Sequence, residues 1–161
     1  MIIDAAPTSD SENLAESVNQ MVALSVPPIH HMGVTALHVA PGSAVSMVPL
    51  KGNTNHIGTI YAGVLFTLAE SVGGALAIGT FDMALYYPVV KGFNITYRKP
   101  ARSEVRAEAR IGAKAVAEIT VMADQIGKAD FDFDIDCELL DTAGVVVATS
   151  RGRYQLRRHG T

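Results

Sequence analysis

The spacing of hydrophobic positions changes along this chain, and each change marks an element. Residues 9–24 open on Ser9-Asp10-Ser11-Glu12 and place apolar side chains at Leu14, Val18, Met21, Val22 and Leu24. Steps of three and four behind an acidic, hydroxyl-rich start predict a capped amphipathic helix. Pro27-Pro28 is expected to end it, with 29–33 as a linker. Two short runs, 34–40 and 44–50, flank Pro41-Gly42-Ser43 and read as a hairpin. A polar loop bounded by Gly52 and Gly58 follows, and Thr59 is a candidate cap for the next segment. That segment, from Ile60 to about Gly79, is apolar on nearly every side, which predicts a buried helix.

Beyond the helix, alternation takes over. In 89–98, Phe93, Ile95 and Tyr97 share one face, while Asn94, Thr96 and Arg98 share the other; Pro100 closes the run. In 104–111, Glu104, Arg106, Glu108 and Arg110 alternate with Val105, Ala107, Ala109 and Ile111. The strongest run is 130–139, with Phe131, Phe133, Ile135, Cys137 and Leu139 inward and Asp130, Asp132, Asp134, Asp136 and Glu138 outward. A turn at 141–144 leads into a last strand, 145–158, and 113–125 reads as helical. Period-two alternation means one packed face and one wet face. The expected fold class is therefore α+β: a curved antiparallel sheet wrapped around a long central helix, with an N-terminal helix and an extra helical insertion near 113–125. Like charges opposite each other destabilise a sheet, so the acid-rich strand calls for Arg106, Arg110, Arg151 and Arg153 on its neighbours. The whole of 1–161 is read as one domain, with 1–33 as N-terminal helix and linker and 34–161 as the core.

Composition narrows the classes. Hydrophobic residues make up 48% and charged residues 18% of the 161, enough for an ordinary packed core. Cys137 is the sole cysteine, so no internal disulfide forms, and a reducing compartment fits. A net charge of −3 argues against a nucleic-acid binder. The start of the chain lacks the basic and apolar regions of a signal peptide. The stretch 64–78 is broken by Thr67, Glu70, Ser71 and two glycines and reads as too interrupted to span a bilayer. A cytoplasmic protein without membrane or nucleic-acid partners is expected.

The order of elements, with Asn55-His-Ile-Gly-Thr-Ile-Tyr-Ala-Gly-Val-Leu-Phe-Thr-Leu-Ala-Glu70 and Phe93-Asn-Ile-Thr-Tyr-Arg-Lys-Pro-Ala101, resembles the hotdog-fold acyl-CoA thioesterases, near their phenylacetate-pathway-like branch. The resemblance spans residues 34–158 and leaves out the N-terminal helix. It implies hydrolysis of an acyl-CoA thioester with no cofactor and no metal, in a homodimer or a dimer of dimers. Glu70 stands in the place of the family's catalytic carboxylate. Ala62, beside Gly63, matches the position whose backbone N–H binds the oxyanion, and Asn55 matches a polar active-site residue. Substrate contacts are implied for His56, Gly58, Thr59, Tyr61, Phe66, Gly74 and Val90. Tyr61-Ala62-Gly63 replaces a frequent His-Gly-Gly, and Val90 replaces a serine found in some relatives.

The residues themselves single out Glu70. It interrupts a greasy helix, and its neighbours at three and four residues are Phe66, Thr67, Gly73 and Gly74, none a cation. An unpaired buried carboxylate costs several kcal/mol, and a mid-helix glycine costs about 1 kcal/mol relative to alanine. Two glycines there suggest close approach by something. Glu70 either faces a ligand, attacking a carbonyl or activating water, or pairs in the core with a distant arginine such as Arg98. N–H groups at the helix start, near Ala62 and Gly63, suit a developing oxyanion. Eight residues separate Ala62 from Glu70, roughly 12 Å along the axis at about 1.5 Å per residue. For both to act on one carbon they must come from two chains.

Asn55 either holds substrate or water or bonds its own loop. Loop His56 reads more readily as solvated, and Arg98, Lys99 and Arg102 are candidates for coenzyme A phosphates. His30-His31 lacks further ligands at metal spacing. Two other readings stay open: a hydratase on the same fold, for which the central helix lacks a histidine, and an acyl-CoA-binding regulatory protein without turnover.

Overall fold

The computed structural model describes residues 9–127 and 133–161. In chain order the elements are α1 (Ser9–Ser25), α2 (Pro27–His31), β1 (Thr35–Ala40), β2 (Ser43–Val48), α3 (Ala62–Thr80), β3 (Tyr86–Tyr97), β4 (Val105–Arg110), α4 (Ala113–Ile126), β5 (Phe133–Asp141) and β6 (Val146–Arg158). The strands form one curved antiparallel sheet in the order β1-β2-β4-β5-β6-β3. The expected α+β architecture is what the chain adopts, including both extra helices. Of the acid-rich run, Asp130, Phe131 and Asp132 lie outside the described residues.

Alternation builds the sheet as its period requires. Val105, Ala107 and Ala109 of β4 and Ile135, Cys137 and Leu139 of β5 are buried, while Arg106, Arg110, Asp136 and Glu138 face water. α3 lies against this packed face, chiefly on β2, β4 and β1, burying Val64, Leu65, Leu68, Val72 and Leu76. By length and mean hydropathy α3 does pass for a membrane-crossing helix, contrary to the reading of 64–78 as too interrupted. Its lone carboxylate barely lowers the average, and half of its apolar window is buried inside the protein.

The two sheet edges differ. α1 covers β1, where the Asn19 amide acts as a surrogate strand partner. Its Nδ2 donates to the Ala36 carbonyl (3.0 Å), and Ala36 N–H donates back to Oδ1 (2.8 Å). β3 pairs with β6 along its whole length, from Tyr86↔Arg158 to Tyr97↔Ala148, and forms the other edge. Its residues Val90 and Tyr97 are 39% and 47% exposed, so Tyr97 is less packed than alternation suggested. An edge strand lacks a neighbour to cover it.

Three local expectations fail for physical reasons. Residues 27–31 are a short helix and not an open linker, because proline at the first helical positions gives up an N–H that has no intrahelical partner. Thr59 does not cap α3; Tyr61 is the N-cap, with no side-chain bond. Ile60 and Tyr61 N–H groups donate instead to the Ala101 and Asn53 carbonyls (2.9 and 2.8 Å), which pins the segment extended and buries Thr59. Finally, Arg106 and Arg110 serve their own strand, pairing with Glu104 and Glu108. Across β4 and β5, Glu108 faces Glu138. Arg151 fulfils the expectation by holding Asp136 of the acid strand at 2.7 Å, and Arg153 sits opposite Asp134 in register.

Candidate active site

Glu70 lies at the middle of α3, half-buried, and lines an apolar groove of about 250 Å³ between α1 and α3. Among the described residues no cation pairs with it, and burial alone pushes its carboxyl above the ordinary value. The suggested partner Arg98 is exposed and reaches the Thr149 hydroxyl at 3.3 Å. Removing water from a carboxylate disfavours its charged form, which is the cause of the upward shift.

The glycine pair behind Glu70 has two separate explanations. At Gly73 an added Cβ would run into the Tyr154 hydroxyl, which donates to the Glu70 carbonyl at 3.1 Å. A glycine is therefore needed for Tyr154 to reach the helix turn that carries Glu70. Gly74 has nothing within 4 Å of such a Cβ and opens into the groove. The expected close approach is thus met at one glycine and absent at the other.

The start of α3 borders a second cavity of about 330 Å³, lined by Asn55, Thr59, Ala62, Tyr97, Arg98 and Lys99 among others. The N–H groups of Ala62 and Gly63 find no acceptor among the described residues, since the first inward bonds are Val64 and Leu65 to the Tyr61 carbonyl. They point the positive end of a 19-residue helix outward. Tyr97, which sequence reasoning assigned to packing, donates its hydroxyl to the Ala62 carbonyl (2.9 Å) and fixes this turn. Strand alternation gave no hint of that bond.

Asn55 is occupied by its own loop. Its Oδ1 accepts from Ile57 and Thr59 N–H (both 3.1 Å), and its Nδ2 donates to the Thr59 hydroxyl (2.9 Å). One Nδ2 hydrogen remains for the cavity. His56 is exposed and outside that cavity, and Gly58, at φ +75°, makes the turn that closes the loop. Tyr61 is 58% exposed, its ring folded over Gly63. Phe66 packs edge-on against Phe93 with centroids 4.9 Å apart, and Val90 stands on the open β3 edge.

Within one chain, then, Glu70 and Gly74 share the α1–α3 groove, while Asn55, Thr59 and Ala62 share the cavity at the helix start. The two sets do not meet. Among the described residues no group of three His, Cys, Asp or Glu is placed to hold a metal ion.

This sheet, central helix and paired cavities define a hotdog-fold protein of the thioesterase-like class. A Pseudomonas aeruginosa protein described as of unknown function and a probable thioesterase is 37% identical, with a TM-score of 0.82 over 95% of this chain and 98% of its own. A Chlorobaculum tepidum protein of unknown function has the same TM-score at 18% identity, covering 92% and 97%. A Haemophilus influenzae thioesterase, 17% identical, gives a TM-score of 0.70 over 91% and 94%. Residues 15–156 match the DUF4442 family, a domain of unknown function, and the chain belongs to that family. The match starts at residue 15, inside α1, so the greater part of that helix lies within the matched region. No curated protein matches the chain.

Proposed function

We propose that the protein hydrolyses acyl-CoA thioesters at sites shared between two copies of the chain. Glu70 of one copy accepts a proton from water, and the water oxygen bonds to the thioester carbonyl carbon. The carbonyl oxygen takes up the negative charge and is held by the Ala62 and Gly63 N–H groups of the second copy. When the tetrahedral adduct collapses, the carbon–sulfur bond breaks and the thiolate receives the proton from Glu70. A carboxylic acid and free coenzyme A leave. Direct attack by Glu70 through an anhydride yields the same products and needs the same neighbours.

The observation that carries this reading is Glu70 itself: a desolvated carboxyl with no cation beside it among the described residues, opening on a cavity. Preference for two chains rests on the roughly 12 Å that separate the helix start from Glu70 along the axis, at about 1.5 Å per residue. A twelve-residue edge strand with exposed Val90 and Tyr97 supports self-association, because such an edge invites pairing. Arg98 and Lys99 lie on the helix-start cavity, where coenzyme A phosphates would find positive charge.

Subunit mixing tests the shared site. Ala62→Pro deletes one N–H at a helical position that tolerates proline, and Tyr61 already has compatible backbone angles. Each of Glu70→Gln and Ala62→Pro alone is expected to abolish thiol release from acyl-CoAs. Mixed after co-refolding, they should recover about a quarter of wild-type activity, since about half the dimers are mixed and each holds one intact site. No recovery, with both variants folded and dimeric, would place both groups in one chain. Tight acyl-CoA binding without thiol release by the wild type would make this a binding protein. Water addition to an enoyl-CoA would make it a hydratase.

A further inference from the structure

We propose that the groove between α1 and α3 receives the acyl group as a straight aliphatic chain of medium length, and that α1 is the wall that sets this length. The inference rests on the thioesterase reading and adds a substrate class to it.

Chemistry of the lining comes first. Val18, Met21 and Val22 of α1 face Gly74, Ala75 and Ile78 of α3 across the groove, and among the described residues no aromatic side chain lines it. Its polar members are largely committed elsewhere. The Asn19 amide is bonded at both ends to Ala36, and the Ser71 hydroxyl donates to the Leu68 carbonyl at 3.2 Å. Ser46 is 2% exposed. Among the described residues Glu70 is the lone ionisable group on the groove. A guest beyond Glu70 therefore meets aliphatic surface with almost nothing to hydrogen-bond, which selects against hydroxylated or charged acyl groups.

Size comes next. A volume of about 250 Å³ falls below the usual range for a whole small-molecule site, about 300–1,000 Å³. It cannot house coenzyme A, whose polar body has the separate cavity at the helix start. A groove of this size suits an acyl tail of medium length. Two features make its length adjustable. Gly74 contributes no side chain and opens into free space, and Met21, 40% exposed, is a flexible filler on the α1 side. Because Asn19 ties α1 to the β1 backbone, this wall keeps a fixed distance from α3.

The test compares the full-length wild type with Gly74→Leu and Met21→Trp, which fill the groove from opposite walls. Helix propensity favours the first, and the exposure of Met21 accommodates the second, so both are expected to fold. We measure kcat/KM across straight saturated acyl-CoAs from acetyl to palmitoyl, and octanoate binding by calorimetry. The wild type should peak near octanoyl-CoA. In both variants the octanoyl-to-acetyl ratio should fall at least about tenfold, in line with the discrimination an apolar pocket achieves per methylene, and octanoate binding should be lost. Hydrolysis with an unchanged length profile in both variants would overturn the groove assignment and leave the thioesterase reading standing. Absence of any hydrolysis, with octanoate bound by the wild type and not by the variants, would do the reverse.

Discussion

Glu70 and Asp136 carry the same chemical group in opposite circumstances. On α3, Glu70 is half-buried and unpaired among the described residues, and loss of water raises its carboxyl above the ordinary 4.5. On β5, Asp136 is exposed and takes two Arg151 nitrogens at 2.7 and 2.9 Å, and that hydrogen bonding holds its carboxyl below 3.8. The sheet carboxylate is placed where ionisation is nearly free. The helix carboxylate is placed where ionisation costs stability, and no cation among the described residues offsets it. Groups shifted by burial and open to a cavity are disproportionately those that do chemistry. The contrast thus separates a carboxylate that burial burdens from one that solvent and an arginine accommodate.

The sharpest way to break the contrast is Glu70→Gln. Thioester cleavage should fall at least about 100-fold, the lower bound for removing a positioned acid–base group, with the circular dichroism spectrum unchanged. Wild-type activity should rise with pH through the raised carboxyl value, because the charged form is the one that acts, and the variant's residual activity should lack this limb. Stability must run the other way. A carboxyl that holds its proton more tightly when folded lends stability that is full below 4.5 and lost as pH rises through the folded value. At neutral pH the amide variant, never charged, should melt higher than the wild type, with the gap closing toward pH 4.5. A variant that melts lower at neutral pH would mean that Glu70 has a stabilising partner.

Much of this was legible in the chain. Alternation located β3, β4 and β5, all-round apolarity located α3, and Glu70 stood out because it interrupts that apolarity. Other features leave no periodic trace. Asn19 bonds a strand edge through its amide, and a helix-face asparagine looks the same whether docked or solvated. Register across strands is invisible too, which is why Glu108 came to face Glu138 and Arg106 and Arg110 turned to their own strand. The prolines at 27 and 28 are ambiguous in principle, since proline both stops a helix and starts one. Gly73-Gly74 announced a close approach without naming Tyr154.

That glycine pair sharpens the comparison one level down, within the helix region itself. Gly73→Ala drives a methyl into Tyr154, which is 1% exposed and cannot swing away, so overpacking should destabilise by about 1–3 kcal/mol. Gly74→Ala meets nothing and should gain about 1 kcal/mol from helix propensity. Urea unfolding of the two variants should therefore shift in opposite directions. Equal shifts would show that Tyr154 is not fixed against the turn that carries Glu70. Because Tyr154 bonds the Glu70 carbonyl, Gly73→Ala should also lower activity, while Gly74→Ala leaves the carboxylate where it is.

The smallest effect is expected on the wet face, and its sign is the informative part. Asp136 and Arg151 are both more than 60% exposed, so solvent and salt screen their pair. Asp136→Asn should cost no more than about 1 kcal/mol, the range for exposed ion pairs, and less in high salt. Its carboxyl is lowered in the folded chain, so the stability it lends is present above 3.8 and fades as pH falls through the folded value. Plotted against pH, the melting difference between wild type and Asp136→Asn should favour the wild type at neutral pH and vanish in acid. The difference for Glu70→Gln should favour the variant at neutral pH and also vanish in acid. Two curves that meet at low pH and diverge with opposite sign above it are the thermodynamic form of the contrast between these carboxylates. Parallel curves would mean that burial on α3 does not burden Glu70, and the case for a functional role there would lose its physical basis.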